Sequence, residues 1–252
     1  REVDEAGPEQ LHADTPLVGR ADELRRLREL TDAVADGASR GAVVLGEHGV
    51  GKTRLLAELT GAQPPDRRVV LVRCAVLDRS HGRSGIADVL RALLGLEFDA
   101  PATRVLGRLH AVGAEHYPES VALLPLLGPI LDVELDETPE SALVPRELRA
   151  ARTAQLLVQI VTALTPSPTV LIVDDLQYAD ETTVATIDLL CVDGLSAPLC
   201  TIAATTGEHQ PDAPLIELGP MPIDEMSVLV DTLVGEAELA SDTMRDIAAR
   251  SG

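Results

Sequence analysis

Apolar residues in this chain follow two rhythms. Uninterrupted quartets stand at residues 42–45, 69–72 and 170–173, a similar run covers 199–204, and a shorter one covers 215–218. Runs of this length beside glycines predict strands buried on both faces. Between them the apolar positions recur at helical spacing. Leu24, Leu27, Leu30 and Val34 follow Asp22, a plausible cap, and Gly37 stops them; a second helix starts near Lys52 and carries Leu55, Leu56 and Leu59. Further helices are predicted over residues 86–94, 103–112, 120–131, 146–164 and 182–190, with Pro101, Pro118, Pro139 and Pro166 as punctuation. Strands alternating with helices predict an α/β fold: a parallel sheet of about five strands with helices on both faces.

Two ends of the chain break this alternation. Residues 1–15 are polar, acidic and without periodicity, which predicts a disordered tail or linker. After Pro222 only helical patterns remain, at 223–233 and at 241–249 behind Ser241 as cap. The expected organisation is therefore a tail (1–15), a core (16–221) and the start of a helical lid (222–252).

Length and composition narrow the function classes. The 252 residues suit one large domain, or one domain with a small appendage. Acidic residues outnumber basic ones 41 to 21, a formal charge of −20, so neither a nucleic-acid backbone nor an anionic membrane is an expected partner. Phe98, Tyr117 and Tyr178 are the whole aromatic complement, too few for a base-stacking platform. Cys74, Cys191 and Cys200 are odd in number and lack a CxxC pair; they read as buried hydrophobes. The histidines form no HExxH-type pair, so a catalytic metal cluster is not indicated. With no leader-like or membrane-length apolar run, a cytoplasmic location is expected.

Against this background Lys52 stands out as the only lysine in the chain. It falls in Gly46-Glu47-His48-Gly49-Val50-Gly51-Lys52-Thr53, which matches the phosphate-loop pattern G-x-x-x-x-G-K-[ST] at every fixed position, after a predicted strand and before a predicted helix. Glycines let the backbone wrap a phosphate, and the helix start turns N–H groups and the positive dipole end toward it. Lys52 offers a mobile ammonium to the β- and γ-oxygens, and the Thr53 hydroxyl is a hard oxygen suited to Mg²⁺. Arg54 follows as a further phosphate-side residue. The predicted strand 170–173 ends in Asp174-Asp175, at the sheet edge where ligands of open α/β folds collect. Asp174 is the expected Mg²⁺ carboxylate, acting through a water, and Asp175 the candidate to polarise the attacking water.

These residues make the chain resemble the ATPase domain of the STAND branch of AAA-type P-loop NTPases, as found in large LuxR-type bacterial transcriptional regulators and beside cyclase domains. The resemblance is carried by residues 17–24 (LVGRADEL), the loop 46–53, residues 171–180 (LIVDDLQYAD) and the 218–220 turn before the helical segment. It implies Mg-ATP as ligand, with ATP over GTP resting on the resemblance alone. It makes Val18 and Arg20 base-side contacts, gives Asp180 a helix-capping role and Tyr178 a packing role. It further implies a slowly hydrolysing regulatory switch that works on other domains of the same polypeptide or on a regulatory protein, with nucleotide-dependent oligomerisation among its modes.

Two departures qualify that expectation. Where relatives place a polar residue and then an arginine after the fourth strand, this chain reads Ala203-Ala204-Thr205-Thr206-Gly207; Thr205 can bond a water or a phosphate oxygen but brings no charge. Arg146, Arg149 and Arg152 read as a solvated helix face. In relatives the lid and output domains continue past the position of Gly252, so a fragment or truncated product is expected. The alternatives are a catalytically silent nucleotide-binding module and a P-loop small-molecule kinase.

Overall fold

The structure, a computed structural model, describes residues 4–6, 17–75, 84–97, 99–207 and 213–234. Its centre is an all-parallel sheet of β1 (Asp4–Ala6), β2 (Arg40–Gly46), β3 (Arg68–Arg73), β4 (Thr169–Asp174), β5 (Leu199–Thr205) and β6 (Leu215–Leu218), in the order β1-β3-β4-β5-β2-β6. The five expected strands are all there, and β5 lies between the strand leading into the phosphate loop and the strand ending in the aspartates.

The sixth strand corrects the reading of residues 1–15 as tail or linker throughout. Asp4, Glu5 and Ala6 pair with Val70, Leu71 and Val72. Backbone hydrogen bonds along an otherwise open edge make this strand, and such bonds leave no mark on side-chain periodicity.

Seven longer helices surround the sheet: α1 (Ala21–Asp32), α2 (Lys52–Gly61), α3 (Gly85–Leu93), α4 (Ala102–His116), α5 (Arg149–Leu164), α6 (Glu181–Leu190) and α7 (Ile223–Val234). Strand alternation divides the core in two. Val170 and Ile172 of β4 join Leu24 and Leu27 of α1 and Leu55, Leu56 and Leu59 of α2 on one face. Leu171 and Val173 face the other way, into a cluster built from α3, α4, α5 and α6. Cys74, Cys191 and Cys200 are all buried.

One predicted helix is not formed as expected. Residues 120–131 split into a 3₁₀ stretch, Pro118–Leu127, and a single turn, Gly128–Leu131, that ends at Asp132 with φ 52°. Pro125 removes a donor and crowds the preceding turn, and Gly128-Pro129 follows at once. The second lid helix, 241–249, lies outside the described residues. Among those described, no helix is long and apolar enough to cross a membrane.

Candidate functional site

The site opens at the carboxyl ends of β2 and β4. Between β2 and α2 the chain turns through Gly49 (φ 79°) and Gly51 (φ 100°), which caps α2. These left-handed conformations favour glycine, and the space beside both α-carbons is open. Lys52, 6% exposed, turns its ammonium back onto its own loop: Nζ donates to the carbonyls of Gly46 (2.8 Å) and Glu47 (2.9 Å). Desolvation lowers its pKa, with Asp175 and Asp174 pulling the other way. A cavity of about 380 Å³ is walled by Gly49, Gly51, Lys52, Thr53 and Asp175.

Across that cavity the Thr53 hydroxyl donates to Asp174 Oδ2 at 2.7 Å, while the Asp175 N–H donates to Asp174 Oδ1 at 2.9 Å. Asp174 is 1% exposed, and burial raises its pKa against the Thr53 hydrogen bond and the nearby Arg73. A hydroxyl and a carboxylate held together beside this cavity are hard oxygens of the kind Mg²⁺ takes, so these residues fit the ion. Asp175 has φ 58°, uncommon for a residue with a side chain, and accepts from Gln177 Nε2 at 2.9 Å. This turn leaves β4 abruptly and brings the second carboxylate to the cavity wall.

A larger cavity of about 980 Å³ adjoins the first and shares His48, Gly49, Gly51 and Arg54 with it. Gly46, Glu47 and Val50 border this second space, and so do Val18 and Leu17. Arg20 borders it too, but its guanidinium is already engaged. Nη2 donates to Gly219 O (2.6 Å) and Val50 O (3.4 Å), and Nη1 pairs with Glu23 (3.2 Å). Arg20 is 6% exposed and ties the start of the chain to the phosphate loop and to the turn after β6. It is not a solvated residue. Asp180 caps α6 by accepting from the N–H groups of Thr182 and Thr183.

Sequence reasoning missed several participants. Met221, Met226 and Leu229 line the larger cavity from the α7 side. The His48 ring stacks on Tyr178 at 6.3 Å between centroids and 25° between planes, bridging the two loops. Arg73 brings its Nε to 3.6 Å from Asp174 Oδ2. None of these pairings is local in sequence. Thr205 is fully buried with a hydroxyl that has no partner, and it lines neither cavity. The next residues do: Thr206 and Gly207, the latter with φ 108°, border the larger one. Arg149 pairs with Glu137, and Arg152 donates to Gln155.

A family model described as AAA ATPase domain matches residues 16–202, a span that includes the phosphate loop and both aspartates. The chain belongs to the AAA ATPase domain family. Among solved structures, this AAA domain is similar to a Walker-type ATPase of Pyrococcus abyssi, with a TM-score of 0.46 and 13% identity over 92% of this chain and 63% of the other. It is also similar to a chain in the structure of Drosophila ORC bound to DNA, with a TM-score of 0.48 and 14% identity over 95% of this chain and 53% of that one. The chain thus spans less than two thirds of the length of either. No curated protein matches it.

Proposed function

We propose that this AAA domain binds Mg-ATP at the junction of the two cavities and hydrolyses it slowly, as a regulatory switch. The observation that carries the reading is the 2.7 Å hydrogen bond from Thr53 to Asp174 beside the cavity under Lys52. When bound, Mg²⁺ would supply charge neutralisation to the phosphates. Thr53 and Asp174 would hold it.

The chain's own residues do the remaining work. Lys52 exchanges its two loop carbonyls for phosphate oxygens, and the N–H groups of the loop and of α2's first turn give the phosphates a positive end. Asp175, oriented by Gln177, accepts the proton of the attacking water at its free oxygen. Leu17, Val18, Met221 and Met226 offer an apolar space for a base, and Arg20 fixes that space by joining Val50 to Gly219. Because Arg20 and α7 link the loop to the segment after β6, the nucleotide state can bias how the lid packs. The proposed output is a change in contacts with other domains of a LuxR-type regulatory polypeptide or with a regulatory protein.

Binding of a fluorescent ATP analogue to the purified chain, compared with Lys52→Ala, tests this reading. Saturable Mg²⁺-dependent binding by the native chain alone is expected; equal binding by both would end it. A second reading, a silent nucleotide-binding module, is favoured by the uncharged end of β5. Sustained phosphate release from ATP, lost in Asp175→Asn, excludes it.

A further inference from the structure

The buried carboxylate at the end of β4 already has a cation, and it is not the loop lysine. β3 and β4 pair in parallel with Arg73 opposite Asp174 at their last rung. Arg73 Nε lies 3.6 Å from Asp174 Oδ2, the same oxygen that accepts the Thr53 hydroxyl. Lys52 meanwhile spends its ammonium on Gly46 O and Glu47 O. Among the described residues, Arg73 is the one basic side chain within ion-pair distance of Asp174. The guanidinium is 30% exposed, whereas the carboxylate is 1% exposed, so only one member of the pair has room to move.

We propose that Arg73 is a positioning residue for the metal site, a cation carried in cis that neutralises Asp174 until Mg²⁺ arrives and then yields that oxygen to the ion. This rests on the Mg-ATP reading above. The physical case is one of competition. An uncompensated carboxylate this deeply buried is costly, and Arg73 offsets that cost in the nucleotide-free protein. A guanidinium this close to the metal carboxylate repels a divalent ion that would approach it, whether that ion meets the carboxylate directly or through a water. Mg²⁺ entry must therefore loosen the 3.6 Å pair. The displaced guanidinium is anchored on the strand next to the aspartates, on the side of β4 away from β5.

The test is a Mg²⁺ titration of fluorescent-ATP binding by the full 252-residue chain, starting in EDTA, for native protein, Arg73→Gln and Arg73→Lys. With competition removed, Arg73→Gln needs about tenfold less Mg²⁺ for half-saturation, while its affinity in EDTA changes by less than about threefold. Arg73→Lys, which keeps the charge, stays near the native midpoint and controls for packing. A midpoint in Arg73→Gln equal to the native one, or higher, overturns the inference. If the native chain binds ATP through Lys52 yet Arg73→Gln shows no shift, the Mg-ATP reading stands and this inference alone falls. If the native chain binds no ATP, the earlier reading fails and takes this one with it. Melting curves for all three proteins in EDTA give an independent readout: Arg73→Gln melts lower than native and Arg73→Lys close to it, and equal melting of Arg73→Gln and native would count against the proposed neutralisation.

Discussion

The two adjoining cavities are built by opposite means. The smaller comes almost entirely from one short stretch, the glycine loop and helix start between residues 48 and 54, closed by Asp175 just past the end of β4. The larger draws on separate segments, residues 17–20, 45–54, 206–207 and 217–229, joined by the Arg20 bonds to Val50 and Gly219. A wall drawn from one segment is fixed by that segment's own fold. A wall drawn from several can be retuned piece by piece. The difference predicts that charge-dependent affinity belongs to the first cavity and base preference to the second.

The sharpest break of that contrast is Lys52→Ala. Removing two charge-assisted hydrogen bonds lowers ATP affinity about 100-fold by fluorescence titration. The same change should raise the melting temperature of the nucleotide-free protein. Burial lowers the Lys52 pKa, so its charged form costs stability below that folded pKa, and the cost fades as pH rises toward the ordinary value of 10.5. A variant that binds poorly and also melts lower would contradict this account.

Asp174→Asn comes next. It should abolish the Mg²⁺ enhancement of binding while leaving affinity in EDTA nearly unchanged. Its stability should carry a definite sign. Burial raises the Asp174 pKa, so the folded protein holds that proton more tightly than the unfolded chain does. Native stability therefore falls as pH rises from 3.8 through the folded pKa. Asp174→Asn is expected to be the more stable protein at neutral pH, with the gap closing on acidification, as followed by urea denaturation.

Arg20→Ala addresses the second cavity. Losing hydrogen bonds from a buried guanidinium should cost about 1.5–3 kcal/mol of stability in urea and roughly tenfold in affinity, with the Mg²⁺ midpoint unmoved. Met226→Ala is the mildest change. It removes about 1 kcal/mol of apolar contact, about fivefold in affinity, and a larger loss for ATP than for GTP would assign the methionine to base discrimination.

How much of this could be read in the sequence follows the same division. The phosphate end was legible because eight contiguous residues, Gly46 to Thr53, carry its chemistry, and because Asp174-Asp175 closes an unmistakable strand. Of the larger cavity, only Val18 and Arg20 were singled out in the sequence, and by resemblance alone. The partner of Arg20 is Gly219, 199 residues away, and no periodicity connects them. Arg73 looked like any charged strand terminus until β3 was seen to register against β4. Residues 118–131 misled because their apolar spacing suits a helix while Pro125 and Pro129 forbid a continuous one. The edge strand Asp4–Ala6 is written in backbone alone.

The turn that leaves β5 carries a consequence for redesign. Gly207 occupies a backbone basin that residues with a β-carbon seldom enter, and an added Cβ would stand 3.3 Å from Leu45 Cδ1. Any side chain grafted there would inherit a strained hinge, so the shape of this corner belongs to the bend as much as to the residue that fills it. Whoever wishes to place a new group at this corner should rebuild the whole turn together with Leu45.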